Sequence, residues 1–181
     1  HITEAPDLFT SRAPARYKDK VPYVKLDADG VERWYVGDRN FGSMGGNVSQ
    51  AFGRLYPSRT QGLGLVDTSA YYGSPEVWNE RVETARMKGL PALVPIQVQR
   101  WYTDGFAAAN ADLVAKINAV FVANDVHCYA AACDYLSSLD QRPHLHTLTM
   151  PVTIIVGDED PATPVAASES LHAGILGSKL V

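Results

Sequence analysis

Cysteine is scarce in this sequence: two in 181 residues, Cys128 and Cys133, five positions apart in an apolar run of helical texture. On a helix that spacing points the side chains well apart, which argues against a mutual disulfide and for two buried free thiols. A reducing compartment is compatible with free thiols, and a cytoplasmic location is the expectation. No apolar run approaches the roughly 18 residues of a membrane span, and the amino terminus lacks a signal-peptide pattern, so no membrane attachment is expected. His1 in place of methionine reads as a trimmed or processed start. Positive charge is not in excess either. Sixteen Lys and Arg stand against 20 Asp and Glu, a net charge of −4, which gives no general attraction to nucleic acid. Internal repeats and low-complexity tracts are absent. What the chain does have is 46% apolar and 20% charged residues, enough for one sizeable core and too many apolar side chains for disorder.

Along the chain, residues 1–20 carry Pro6 and Pro14 without a sustained period and read as a loop or wrapping arm. "VPYVKLD" (21–27) suits a short edge strand, DADG (27–30) a turn, and VERWYV (31–36) a strand. In 37–57, Val48, Ala51, Phe52 and Leu55 recur at helical intervals before Pro57 stops the helix. "GLGLVDT" (62–68) and VTIIV (152–156) are nearly continuous apolar runs, as central parallel strands are. Residues 31–36, 62–67 and 152–156 are therefore expected as parallel neighbours in one sheet. Between 71 and 140 no strand is evident. Helices are expected at 74–89, 93–102, 108–125 and 125–140, the third with Leu113, Ile117 and Val120 on one apolar face. The fold class expected is α/β, with a core of 1–70 and 141–181 and a helical cap at 71–140. A further helix at 164–175 and the start of a strand at 178–181 close the chain.

The sharpest chemical signal is "FGSMGG" (41–46), a serine among small residues between a strand and a helix. A nucleophile elbow needs such neighbours, because the tight turn lifts the hydroxyl while following N–H groups face an oxyanion. Ser43 is thus either a nucleophile or a turn or helix-cap serine, and both readings stand. Asp158, Glu159 and Asp160 follow a predicted strand, where an acid can orient a histidine; taken on their own, a solvated turn is the plainer reading of them. Adjacent carboxylates alone do not build a chelating geometry, so no metal is expected, and G-x-G-x-x-G fails around 37–46, so no dinucleotide is either. Trp78, Trp101 and Tyr102 are candidates for an apolar pocket wall, with ordinary packing as the alternative.

Three stretches, "ADGVERWYVG…GSMGG" (28–46), "RLYPSRTQGLGLVDTSAYYGSPEVWNERVETARMKG" (54–89) and "TMPVTIIVGDEDPATP" (149–164), resemble the α/β-hydrolase family. The branch they look most like is the 3-oxoadipate enol-lactonases of aromatic-compound degradation. The resemblance implies a mostly parallel sheet flanked by helices, an inserted helical cap, and cofactor-free cleavage of a small-molecule ester or lactone by a serine–acid–histidine triad. Through S-M-G-G it assigns the nucleophile to Ser43 and an oxyanion-hole N–H to Met44. Through G-x-x-D-P-A-T-P it assigns the acid to Asp160.

The chain departs from the family pattern at identifiable places. Phe41 occupies the slot two before the serine, and Gly37 lies six before it. Only 42 residues precede Ser43, none of them in a His-Gly pair. The family histidine follows a strand that would begin near "SKLV" (178–181). His172 falls on the predicted helix 164–175, His144 and His146 in a polar segment without metal-ligand spacing, and His127 in the cap. Arg100 is the weak candidate for a cation facing a dicarboxylate-like substrate. Serine-dependent ester or enol-lactone hydrolysis is the leading expectation. The alternative is a catalytically incomplete hydrolase-like fragment, apparently cut at both ends, that self-associates or binds a partner chain through its sheet edges.

Overall fold

The structure is a computed structural model that describes strands 24–26 and 32–34 and residues 44–181. The arm at 1–20 and Ser43 lie outside the described residues. Val24–Leu26 (β1) and Glu32–Trp34 (β2) pair antiparallel, Val24 opposite Trp34 and Leu26 opposite Glu32, in a sheet of their own. The expectation that 31–36 joins the main sheet in parallel is therefore corrected. The five residues between β1 and β2 suit a hairpin, and the ladder bonds of β2 go to β1 instead.

The other two apolar runs do pair in parallel. Leu63–Val66 (β3) lies against Val152–Ile155 (β4), with Leu63 opposite Val152 and Val66 opposite Ile155, and Lys179–Leu180 (β5) continues the sheet on the far side of β4. Leu65 and Ile154 are completely buried and share a core with Leu148, Met150, Leu171 and Ile175. Met44–Leu55 (α1) packs on β3, but not through the stripe that marked it as a helix. Val48 and Leu55 are about half exposed, while Gly46, Asn47, Gln50 and Gly53 face inward.

Close approach explains the choice of face. A Cβ on Gly46 would lie 2.2 Å from Thr68 Oγ1, and one on Gly53 3.0 Å from the Leu63 side chain. The polar residues on that face find partners beyond the end of β3. The Tyr72 hydroxyl accepts from Asn47 Nδ2 (2.9 Å) and from the Ser69 N–H (3.1 Å), and bonds Thr68 Oγ1 at 3.0 Å. Gln50 Nε2 donates to the Ser69 carbonyl at 3.2 Å. Hydrogen bonds thus seat α1 where an apolar face would have needed more room.

Between β3 and β4 the chain builds five helices among the described residues: Pro75–Lys88 (α2), Val94–Trp101 (α3), Asp104–Ala109 (α4), Ala111–Val122 (α5) and Val126–Ser138 (α6). Local chemistry fixes their ends. Gly89 at φ 78° stops α2, Pro95 sits harmlessly in the first turn of α3, and Asp125 accepts from the Cys128 N–H at the start of α6. Small buried residues, Ala85 on α2 and Ala130 on α6, face the interior of the helical layer with Val82 and Cys133. Two expectations change here. On α5 the buried residues are Val114 and Phe121, with Leu113 and Val120 exposed. Both thiols are free, but Cys128 is exposed and only Cys133 is buried. The ends of the helical layer meet at a Tyr71–Asp140 bridge, where Gln141 N–H donates to the Ala70 carbonyl at 2.8 Å. Among the described residues no helix is long and apolar enough to cross a membrane.

Val165–Gly174 (α7) then returns the chain from the carboxyl end of β4 to the start of β5. Alanine for glycine inside a helix ordinarily stabilises by about 1 kcal/mol. At Gly174 the sign should reverse, because a Cβ would sit 2.6 Å from Leu145 Cδ1 and 2.9 Å from Leu145 Cβ. Gly174→Ala is expected to cost about 1–3 kcal/mol in urea unfolding. Tyr72→Phe, which deprives Asn47 and the Ser69 N–H of a shared acceptor, is expected to cost about 1–3 kcal/mol in the same measurement.

Candidate active site

Parallel strands deliver their following loops to the same edge of the sheet, and here two acidic loops meet there. Asp67, directly after β3, takes φ 43°, rare for a residue with a side chain. Its N–H donates to the Ile155 carbonyl at 2.9 Å and its Oδ1 accepts from the Gly157 N–H at 3.0 Å, which ties the end of β3 to the loop after β4. A Cβ on Gly157 would lie 4.0 Å from both Asp67 Oδ1 and Asp160 Cβ, so the two carboxylate-bearing residues flank one glycine.

Asp160 is held firmly. Its Oδ1 accepts from the backbone N–H groups of Ala162 (2.7 Å) and Thr163 (3.1 Å), and its Oδ2 from the Thr163 hydroxyl at 2.6 Å. A carboxylate offers about four acceptor positions, so three bonds leave room on Oδ2 for one further N–H donor. Half-buried and oriented by its own loop, this group can align an imidazole without having to be ordered first.

Met44 opens α1 and is 42% exposed, so its backbone lies at the helix start, where N–H groups have no intrahelical acceptor. Ser43, the residue before it, falls outside the described residues. Trp78 packs edge-on to Tyr72 and donates Nε1–H to the Tyr72 carbonyl at 3.0 Å. Trp101, half exposed, stands edge-on to Phe121, and Tyr102 stacks on Phe106 with centroids 5.7 Å apart. His172, exposed near the end of α7, bonds Ser178 Oγ through Nδ1 at 2.8 Å. Seven residues of helix, about 10 Å, separate it from the start of α7, on the side of the sheet away from Asp160. His144 and His146 are exposed in a short 3-10 segment, Arg142–Thr147.

Two site-shaping residues escaped the sequence reading. Asp67 carried a signal, an acid at the end of an apolar strand run, in the same relation to its strand as Asp160 to β4. Tyr72 carried none, since its partner Asn47 is 25 positions away. In the cap, burial lowers the pKa of Arg100 and the Arg81 guanidinium lowers it further, while the Asp160 carboxylate partly offsets both. The end of α3 is therefore within electrostatic reach of the Asp160 loop.

Similarity to known proteins follows the same outline. The sequence is 31% identical to 3-oxoadipate enol-lactonase 2 of Acinetobacter baylyi over 138 residues, which cover 76% of this chain and 52% of that protein. The crystal structure of the enol-lactonase from Burkholderia xenovorans matches with a TM-score of 0.75 at 33% identity, over 77% of this chain and 54% of that one. A thermophilic esterase from Thermogutta terrifontis, solved with malate bound, matches with a TM-score of 0.69 at 28% identity, over 77% and 53%. No family model matches the sequence. The parallel strands, flanking helices and interposed helical layer are part of an α/β-hydrolase fold, and the chain is a homologue of the 3-oxoadipate enol-lactonases over about half of their length.

Proposed function

We propose that this chain serves the hydrolysis of carboxylic esters or lactones by serine attack, with an enol-lactone as the substrate type. The observation that carries the reading is Asp160: a carboxylate at the carboxyl end of a parallel strand, fixed by three donors and retaining an open acceptor position. Ligands of open α/β sheets bind outside those strand ends. The start of α1 supports the same reading, since Gly46 lets the helix approach Thr68, at the end of β3.

In this mechanism Ser43 Oγ adds to the carbonyl carbon while an imidazole takes its proton, and Asp160 orients that imidazole and stabilises its cation. The carbonyl oxygen, now an oxyanion, accepts from the Met44 N–H at the positive end of α1. Collapse of the tetrahedral adduct expels the alkoxide or enolate, which takes the proton back from the imidazolium. In a lactone this group stays attached to the acyl chain, so ring opening releases nothing until water hydrolyses the acyl-serine. The base is the histidine that the family pattern puts after the strand matched by β5. His172, seven residues into α7 and hydrogen-bonded to Ser178, sits toward the other end of that helix from the Asp160 loop and is not assigned the role.

The test is burst kinetics with p-nitrophenyl butyrate on the protein that carries this imidazole. Ser43→Ala should lower kcat at least about 10³-fold with little change in KM, because the covalent route is lost and the binding surface is not. Asp160→Asn, which keeps an acceptor for the Ala162 and Thr163 N–H groups, should lower kcat by about 10³- to 10⁴-fold. Equal turnover by wild type and Ser43→Ala would remove Ser43 from the chemistry.

A further inference from the structure

The start of α1 and the Asp160 loop are both held against two consecutive residues at the end of β3. Thr68 receives the helix: Gly46 packs so close that a Cβ there would overlap Thr68 Oγ1. Asp67 receives the loop, its Oδ1 accepting from the Gly157 N–H at 3.0 Å. Gly157 passes the connection on, because its carbonyl accepts from the Asp160 N–H at 3.2 Å. A short covalent and hydrogen-bonded route therefore runs from Gly46 through Thr68, Asp67 and Gly157 to Asp160.

The bonds inside the Asp160 loop do not provide this register. Ala162 and Thr163 orient the carboxylate relative to its own turn, and they would still do so if the whole turn shifted. Among the described residues, the Asp67 bond is the only hydrogen bond that ties 157–163 to a neighbouring element. The ladder on either side stops short of the loop. Asp67 N–H reaches the Ile155 carbonyl, and Val156 N–H reaches the Val181 carbonyl at 3.3 Å. Asp67 makes its contact from φ 43°, the one positive φ of a non-glycine among the described residues. Glycine would take that conformation without strain, but it has no side chain to accept from Gly157. Strained backbone of this kind is held by its surroundings and concentrates at functional sites.

We propose that Asp67 is a positioning residue that sets the separation of the Asp160 carboxylate from the start of α1, and so from Ser43, acting through Gly157 rather than through its own charge. This deepens the hydrolase reading above and rests on it for the roles of the two groups so spaced. The tie itself does not. Proton transfer between serine, imidazole and carboxylate needs the partners in line, and a misplacement of about 1 Å can lower the rate on the order of 10²-fold. What Asp67 contributes is an acceptor on a left-handed residue. Asparagine offers both features, glycine only the backbone and alanine neither.

The experiment compares Asp67→Gly, Asp67→Ala and Asp67→Asn by urea unfolding, by amide hydrogen exchange, and by p-nitrophenyl butyrate turnover in the protein that carries the imidazole. Asp67→Gly should unfold near the wild-type urea midpoint, since relief of the φ strain offsets the lost hydrogen bond, so any functional loss is not a loss of fold. Its Gly157 and Asp160 amides should exchange about tenfold faster than in the wild type. Its kcat should fall by about 10- to 100-fold while KM stays within about twofold. Asp67→Ala should lose at least as much, and Asp67→Asn should recover kcat to within about threefold of the wild type. Wild-type kcat, or wild-type exchange at Gly157, in Asp67→Gly would overturn the proposal. So would an Asp67→Asn variant as impaired as Asp67→Ala, because the carboxylate charge would then be what counts. Wild-type protein without Ser43-dependent turnover removes the serine mechanism alone, and exchange at Gly157 still decides whether Asp67 holds the loop.

Discussion

Leu63–Val66 and Val152–Ile155 form one parallel ladder although the 85 residues 67–151 lie between them, and the placement of the candidate site follows from that pairing. Because the strands run the same way, the loops that leave them emerge at one edge. Asp67 can then accept from the Gly157 N–H, and Asp160 stands beside it. An antiparallel pairing would have sent the two loops to opposite ends, and the two carboxylates could not have met. The helices between the strands have a single place to go: they rise from the carboxyl edge and return to it, joined at the base by Tyr71 and Asp140.

Within the cap, Tyr129 plays an organising part. Its ring meets Phe121 edge-on, its hydroxyl accepts from Arg81, and burial beside those groups raises its own pKa, so it stays a neutral phenol. Burial likewise raises the pKa of Cys133 and keeps it a thiol.

Much of the element order was legible because the signals were local. Gly89 stops α2, proline is tolerated in the first turn of α3, and bulky apolar runs mark β3 and β4. The D-P-A-T-P turn was legible for the same reason, since Asp160 bonds residues two and three positions ahead. What the residues could not disclose were choices between partners. On α1, the apolar stripe of Val48 and Leu55 announced a helix, yet the face chosen was the one that glycine makes thin and from which the Asn47 and Gln50 amide nitrogens donate to Tyr72 and Ser69. On α5, Leu113 and Val114 belong to rival stripes, and packing against Leu90 and Leu93 selected the one that includes Phe121. For β2, pattern alone did not distinguish a hairpin from a place in the parallel sheet, because VERWYV fits either. The nearness of Arg100 to Asp160 depends on how the cap folds over the core, which no local signal encodes.

The long insertion between β3 and β4 also bears on the order in which the molecule assembles. Bringing two strands together across 85 unstructured residues carries a chain-entropy cost of about (3/2)RT ln 85, or roughly 4 kcal/mol, before any ladder bond compensates it. Helix pairs such as α2 with α6 shorten that effective loop when they dock, and the short α3–α6 segment forms largely through contacts close in sequence. On that account the helical layer is expected to form first, with the β3–β4 ladder closing beneath it. A substitution that loosens Val82 against Ala130 would then slow closure of the sheet, although both residues lie outside it.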